Sequence, residues 1–222
     1  MDTIDLSPAQ MKETLTFLGH TNKYFGGLRA ILRHMDIFSK TWGPNQLIRI
    51  LDVGTGGAEI PIAIAKWGRA KGFKIHITAI DLVSEIADIA TRNTQPYPEI
   101  EIGEKDFMKL EEQGSPFDYV IASLLLHHIS ESEQIGFLQK ADRLAQRGLI
   151  ISDLKRSVPS YGAVWALSNL IGNKIVRHDG PLSVQRALTS QELSALAKTA
   201  GLPYLRTFNE AWFRASLAGE KV

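Results

Sequence analysis

The sequence predicts a three-layer α/β fold, in which helices cover both faces of a seven-stranded sheet that is mostly parallel and has an antiparallel edge strand. Short β-branched and apolar runs alternate with segments of helical periodicity through the middle of the chain. Their spacing is that of right-handed βαβ units, which build parallel sheets. A glycine-rich turn follows the first run, at the end of a strand where open α/β sheets bind their ligands.

The elements are predicted to form one domain with a helical N-terminal cover over residues 1–45. Within this cover, one or two helices are broken near Gly26 and Gly27. The core follows over residues 46–153, with helices at about 59–70 and 84–93 and strands at 47–51, 74–80, 99–102, 118–122 and 147–152. This alternation places the carboxyl ends of successive strands along one edge of the sheet.

The pattern changes after the fifth strand. Residues 154–188 are predicted to form an insertion that covers the substrate, with a helix at 160–175. In the C-terminal part, residues 189–222, the pair Thr189 and Glu192 has the spacing of a capping box, and Gly201 ends the helix that the box begins. An edge hairpin over 204–217 then closes the sheet.

Composition limits the classes of function. A chain of 222 residues with 44% hydrophobic content can bury one substantial core. Its 25 Lys and Arg residues against 24 Asp and Glu give no basic excess, so we expect no nucleic-acid partner. Since cysteine is absent and no HExxH-like spacing occurs, we expect neither a thiol nucleophile nor a metal. No apolar run could span a bilayer and no secretory pattern begins the chain, so we expect a cytoplasmic protein, with a homodimer left open.

Two acidic residues flank the predicted ligand crevice. Asp52 ends the first strand, and the glycines that follow it at 54, 56 and 57 allow the backbone to turn sharply and approach a ligand. Asp81 ends the second strand, where an acidic side chain can accept hydrogen bonds from ribose hydroxyls. The dinucleotide fingerprint requires a further glycine where this chain has Glu59, which weakens an interpretation as a nicotinamide site.

This acidic-x-Gly-x-Gly turn resembles motif I of class I S-adenosylmethionine (SAM) methyltransferases, with Ala58 in place of the family's third glycine. The resemblance implies a Rossmann-like sheet and SAM as the cofactor. It assigns the methionine part of SAM to the turn, the ribose to Asp81, the adenine to Asp106 and Phe107 after the third strand, and the sulfonium region to Ser123 after the fourth. The implied cofactor-binding residues are Asp52, Gly54, Thr55, Gly56, Asp81, Leu82, Asp106, Phe107 and Ser123.

The segment after Ser123 narrows the family branch. No Asn-Pro-Pro-Tyr-like element is present, so the resemblance does not extend to methyltransferases of adenine or glutamine nitrogen. The run 124–129 is instead similar to ubiquinone and menaquinone C-methyltransferases and to many small-molecule O-methyltransferases. It contains His127 and His128, either of which could be the base for a phenol, because a phenol of pKa about 10 benefits from a base of pKa about 6.5. The alternative is that one histidine caps the next helix and the other packs on the sheet.

Residues on the acceptor side of the site are predicted from the end of the fifth strand and from the covers. Asp153 and Arg156 could orient a hydroxyl and a carboxylate or quinone oxygen, or could form a structural ion pair. The polar, turn-rich segment 177–187 and the aromatic-glycine segment 22–27 have the composition of substrate lids, similar to segments in methyltransferases of polyketide and phenolic-lipid pathways. The predicted substrate-binding residues are Tyr24, Asp153, Arg156, Trp165 and His178.

The apolar covers favour a small aromatic acceptor. O-methylation of a phenol or polyketide hydroxyl is therefore the leading hypothesis, ahead of C-methylation of a quinone-type ring. Two hypotheses of other classes stay open, a SAM-binding scaffold without catalysis and an NAD-dependent oxidoreductase, since a binding motif by itself does not establish turnover.

Overall fold

The computed structural model describes residues 13–16, 19, 21–22, 26–111, 117–171 and 174–221. Within this part of the chain, a single sheet contains all seven strands in the order β3-β2-β1-β4-β5-β7-β6. The strands are β1 Leu47–Val53, β2 Lys74–Asp81, β3 Ile100–Glu104, β4 Phe117–Ser123, β5 Ala145–Leu154, β6 Arg206–Glu210 and β7 Arg214–Glu220.

The predicted sheet is confirmed, with one refinement at its C-terminal side. Strands β1 to β5 pair in parallel, whereas β7 runs antiparallel to both β5 and β6. The antiparallel strand therefore lies one place inside the edge, because the hairpin returns β7 between β5 and β6. This arrangement brings the start of β7 next to the carboxyl end of β5, where the ligand crevice opens.

The helices agree closely with the predicted core elements. They are α1 Gly27–Phe38, α2 Glu59–Lys71, α3 Ser84–Thr94, α4 Glu131–Leu144, α5 Val158–Ile171, α6 Lys174–Arg186 and α7 Ser190–Thr199. Three single-turn 3₁₀ helices occur at Ser39–Thr41, Phe107–Lys109 and Leu126–His128. Among the described helices, none is long and apolar enough to cross a membrane.

Alternating strand residues face two separate cores. In β1, Ile48 and Ile50 pack with α1 and α2 on one face, and Leu51 and Val53 pack with α4 and α7 on the other. These four side chains are at most 3% exposed. Burial of both faces explains why the strand is an almost continuous apolar run in the sequence.

The segment 177–187, whose polar and turn-rich composition suggested a substrate lid, is largely helical in the structure. It belongs to α6, which contains Pro181. The helix packs tightly against α5, since a Cβ atom at Gly180 would lie 2.5 Å from Ser168 Oγ. Contacts between the two helices therefore outweigh the local turn preferences of glycine and proline, and the covering insertion is a helix pair.

Candidate active site

The turn after β1 has the backbone geometry that its glycines predict. Gly54 and Gly56 adopt positive φ angles of 70° and 57°. The amide groups of Gly54 and Thr55 donate to Ile80 O at 2.9 and 3.0 Å, which holds the turn against the end of β2. A Cβ atom at Gly54 would lie 3.1 Å from Leu125 Cδ1, so a side chain here would crowd the neighbouring loop. The turn thus presents bare backbone to the crevice.

Ala58 takes the place of the third motif glycine and keeps its conformation. Its φ angle is 67°, in the left-handed region that residues other than glycine rarely adopt, and the residue is fully buried. Helix α2 begins directly after it at Glu59. The departure from the motif therefore changes the side chain and leaves the path of the turn intact.

Asp81 links the loops that follow β1 and β2. Its Oδ2 atom accepts from the backbone N–H of Gly56 at 3.0 Å, and its Oδ1 atom accepts from that of Val83 at 3.2 Å. Leu82, next to it, is 68% exposed and presents an apolar surface beside the crevice. The acidic side chain and the adjacent apolar one are thus both at the strand end where the sequence predicts the ribose.

Asp52 is a buried carboxyl group at the base of the crevice. It is 2% exposed, and its Oδ2 atom has no hydrogen-bond partner among the residues that the structure describes. Burial, with smaller contributions from the nearby carboxylates of Asp81 and Glu59, raises the pKa of Asp52 to about 7 against the opposing effect of the Thr55 hydroxyl. The Ser123 Oγ atom, at the end of β4, is likewise buried and without a partner in the described part of the chain.

These groups fit SAM. Asp52 and Ser123 place two unsatisfied polar atoms at neighbouring strand ends, and a buried polar group without a partner is costly unless a ligand satisfies it. The acidic environment suits the cationic ammonium and sulfonium groups of SAM, and the glycine turn leaves room beside it. The fold and this site resemble those of class I SAM-dependent methyltransferases.

The two residues predicted to bind adenine have different surroundings in the turn after β3. Asp106 caps the short helix there, since its Oδ1 atom accepts from Met108 N at 2.9 Å, and Lys109 Nζ lies 3.4 Å from its Oδ2 atom. The Phe107 ring is 7% exposed and packs on Phe137, with 4.9 Å between ring centroids. Its contact with adenine stays a prediction, and Met108, which is 51% exposed, is a further apolar side chain at this turn.

His127 and Asp153 form a buried pair at the ends of β4 and β5. The Nδ1 atom of His127 lies 2.7 Å from Asp153 Oδ1, and the backbone N–H of His127 donates to Asp153 Oδ2 at 3.0 Å. Burial alone would raise the pKa of Asp153, but His127 and the backbone N–H groups of Leu154 and His127 together hold it below its usual value. The ionised carboxylate therefore accepts from Nδ1–H and leaves Nε2 as the nitrogen that can take up a proton.

A cavity of about 570 Å³ lies between this pair and the α5–α6 cover. Its walls are mostly apolar, with side chains from α5, α6 and the β6–β7 turn, and both His127 and His128 line it. The two histidine rings are 4.1 Å apart between centroids. The sequence did not predict that Trp212, Phe213 and Arg214 line the cavity. Nothing local to the β6–β7 turn indicates that it reaches the site.

The other predicted acceptor residues lie in different surroundings. Arg156 pairs with Glu192 in the first turn of α7 and Asp153 pairs with His127, so the two residues do not form with each other the ion pair that the sequence left open. Trp165 is 54% exposed and does not line the cavity. His178 lines the cavity, although its side chain is 75% exposed and lies 3.2 Å from Asp179. Tyr24 falls outside the described residues.

Comparison with known proteins supports the same class. Residues 50–148 match the family described as a methyltransferase domain. Demethylmenaquinone methyltransferase from Lysinibacillus sphaericus (strain C3-41) is 28% identical to the chain over 116 residues, which are 51% of the chain and 47% of that protein. The matched region thus spans about half the length of this curated relative.

Solved structures with the same fold extend over nearly the whole chain. The plantazolicin methyltransferase BpumL, in complex with S-adenosylhomocysteine (SAH), is 13% identical with a TM-score of 0.75, over 97% of this chain and 91% of that one. A SAM-dependent methyltransferase from Aquifex aeolicus is 17% identical with a TM-score of 0.65, over 98% and 100%. These structures share the fold of this chain, and its middle part, residues 50–148, matches a methyltransferase domain.

Proposed function

We propose that this protein is a SAM-dependent methyltransferase, and that it transfers a methyl group to a hydroxyl of a small, largely apolar aromatic molecule bound in the cavity. The observation that carries the proposal is the His127–Asp153 pair at the wall of that cavity. A histidine oriented by a buried carboxylate is the usual arrangement of a general base. Its place beside an apolar cavity of about 570 Å³ suits an aromatic acceptor.

The residues of the crevice would hold the cofactor. The turn at Gly54 and Gly56, with Asp52, binds the methionine part; Asp81 and Leu82 hold the ribose; Asp106 and Phe107 are the adenine side; and Thr55 and Ser123 complete the set. When bound, SAM supplies an electrophilic methyl group. The α5–α6 cover excludes water from the reacting groups and aligns the acceptor, which is most of what a displacement at carbon requires of the protein.

His127 takes the proton from the acceptor hydroxyl. With Nδ1 bound to Asp153, the Nε2 atom accepts the proton, and the buried carboxylate stabilises the imidazolium that forms. The acceptor oxygen would then carry the electron pair that forms the bond to the methyl carbon, as the bond from that carbon to sulfur breaks with its electron pair and SAH is the leaving group. His128, whose ring lies beside that of His127, contributes to the wall of the site.

C-methylation of a quinone-type ring is the second candidate. The curated relative named above is a demethylmenaquinone methyltransferase, and the same base could remove the proton of a ring hydroxyl to activate a ring carbon. NMR analysis of the product separates the two candidates, because an O-methyl and a ring C-methyl group have different carbon shifts. An N-methyl product would contradict both.

Replacement of His127 tests the proposed base. We expect His127→Ala to lower kcat by about 10²- to 10⁴-fold with an aromatic acceptor, since general-base catalysis contributes that much. Asp153→Asn should lower kcat in the same direction because the amide cannot stabilise the imidazolium. The measurement is steady-state turnover, with SAH binding followed by calorimetry to show that the crevice is intact.

The matched control is His76→Ala. His76 lies on β2, is 40% exposed at its side chain and lies 3.6 Å from Glu101, and it does not line the cavity. We expect this variant to retain wild-type turnover. Unchanged turnover in His127→Ala would refute the role of His127, and a larger loss in His128→Ala would transfer the role to His128.

A further inference from the structure

Arg214 places a buried positive charge at the wall of the acceptor cavity. The residue begins β7 and is paired in register with Leu154 of β5, one position beyond Asp153. It is 2% exposed, and it lines the cavity together with His127 and Leu154. The proposed base and a guanidinium group therefore share one largely apolar chamber.

The chain makes room for this guanidinium at the start of α1. A Cβ atom at Gly27 would lie 3.0 Å from both Cζ and Nη1 of Arg214, so glycine is needed there for the close approach. The Nη2 atom of Arg214 donates to Asn22 Oδ1 at 2.8 Å. The guanidinium therefore lies beside the positive N-terminal end of α1, whose first turn has no acidic residue. The Asp153 carboxylate already attracts this guanidinium, and an anion bound on the cavity side would add a second attraction.

The β6–β7 turn that carries Arg214 is itself unusual. Trp212 and Phe213 both have positive φ angles, 57° and 61°, which are unfavourable for bulky side chains. The backbone is held in place in part by Lys155 N, which donates to Phe213 O at 2.8 Å. Both aromatic residues line the cavity beside Arg214. Backbone strain of this kind concentrates where a fold positions groups for a ligand.

We infer that the acceptor is an aromatic acid, and that Arg214 binds its carboxylate while Trp212 and Phe213 contact its ring. The inference rests on the proposed function and specifies the chemistry of its substrate. A guanidinium group binds carboxylate through charge-assisted hydrogen bonds, which are strongest where water is excluded. Of the other charged residues lining the cavity, Arg186 is exposed and Asp179 has a 39% exposed side chain, so Arg214 is the buried charge of the lining.

The wild-type protein provides the first test. Calorimetry on the SAH-loaded protein compares 3-hydroxy-2-naphthoate with 3-hydroxy-2-naphthamide, which has the same ring system and a neutral substituent. We expect the carboxylate to bind about 10- to 100-fold more tightly, the range of a hydrogen-bonded charge. Equal affinity of the two compounds would overturn the inference without any variant.

Two variants then test whether Arg214 causes the preference for the carboxylate. Arg214→Met should remove the preference for the carboxylate, and Arg214→Lys should retain part of it. The matched control is Arg206→Met, on the other strand of the same hairpin, where the arginine is exposed; it should keep the full preference. SAH binding and far-UV circular dichroism establish that each variant is folded.

The outcomes distinguish this inference from the proposed function. A carboxylate preference that persists in a folded Arg214→Met would overturn the role of Arg214. Failure of both naphthalene compounds to bind, with SAH binding intact, would refute the aromatic acceptor and with it both proposals. Equal binding of the two compounds would leave the aromatic acceptor standing and refute only its acidic substituent.

Discussion

Asp52 is a buried carboxyl group that links the stability of the fold to pH. Its carboxyl group is buried at the base of the crevice, and its pKa is raised to about 7 chiefly because burial disfavours the charged form. In the unfolded chain the pKa returns to about 3.9. At any pH between these two values, the folded protein therefore keeps a proton on Asp52 that the unfolded chain has released.

This shift predicts a loss of stability as pH rises. A group with a raised pKa in the folded state stabilises the fold fully below its unfolded pKa, and that stabilisation is lost as pH rises through its folded pKa. Between pH 5 and pH 8 we expect Asp52 to lower the free energy of unfolding of the ligand-free protein by about 2–3 kcal/mol. Urea unfolding at both pH values measures the change.

The variant Asp52→Asn isolates the contribution of this group. Between pH 5 and pH 8, the free energy of unfolding of the variant should fall by about 2–3 kcal/mol less than that of the wild type, because the amide does not titrate. The lowered pKa of Asp153 makes its contribution fall only on the acid side of this range, and buried His34, whose lowered pKa makes stability rise with pH, acts equally in both proteins and cancels in the comparison. The same pH dependence in both proteins would show that Asp52 is already ionised in the fold.

At the scale of the element, the strand–turn–helix unit from β1 to α2 was predicted most accurately. The helix was expected at about 59–70 and is found at Glu59–Lys71, and the turn has its glycines in left-handed conformations. The capping box of α7 is also confirmed, with Thr189 Oγ1 accepting from Glu192 N at 3.2 Å and Glu192 Oε2 accepting from Thr189 N at 2.8 Å. Both features depend on residues a few positions apart.

The left-handed conformation of Ala58 in this unit predicts that Ala58→Gly stabilises the protein. A left-handed conformation costs an L residue about 1–2 kcal/mol, whereas glycine adopts it freely and loses about 0.4–1 kcal/mol through its more flexible unfolded state. We expect a net gain of about 0.5–1 kcal/mol in the free energy of unfolding, measured in urea.

Ala65→Gly is the matched control for this substitution. Ala65 lies in the interior of α2 and is 1% exposed. The variant should be destabilised by about 1 kcal/mol or more, as for glycine in a helix interior. If both variants lose stability, the conformation of Ala58 is not a source of strain.

At the scale of the whole molecule, the cofactor crevice joins loops from several strands, and its occupation should stabilise the fold. If SAH binds the folded state as proposed, a concentration 100 times its dissociation constant should raise the free energy of unfolding by about 2.7 kcal/mol. Asp81→Asn should weaken SAH binding by about 10-fold or more, because Asp81 holds both the β1 and β2 loops.

The control for Asp81 is Asp88→Asn, on the exposed side of α3. Calorimetric titration with SAH should give wild-type affinity for this variant. Binding that survives in Asp81→Asn would remove the proposed ribose contact. NADH binding in place of SAH would contradict the cofactor assignment.

Long-range pairings decide how the acceptor site is completed. His127 and Asp153 were both predicted to be near the acceptor, but their pairing joins two strand ends that are 26 residues apart in the chain. Arg156, predicted as an acceptor ligand or as the ion-pair partner of Asp153, pairs instead with Glu192, which is 36 residues further on. Neither separation leaves a signal in a short window of sequence.

The sequence by itself determined the alternation of strands and helices, the glycine turn, the acidic strand ends and the capping box. Each of these depends on backbone preferences or periodicity within a few residues, and such preferences act before any tertiary contact exists. Only the tertiary structure decided that residues 177–187 are largely helical, because packing of α6 on α5 outweighs the turn preferences of Gly180 and Pro181. It also decided that Arg214 lines the cavity, because β7 inserts antiparallel between β5 and β6 and so carries a distant charge to the end of β5.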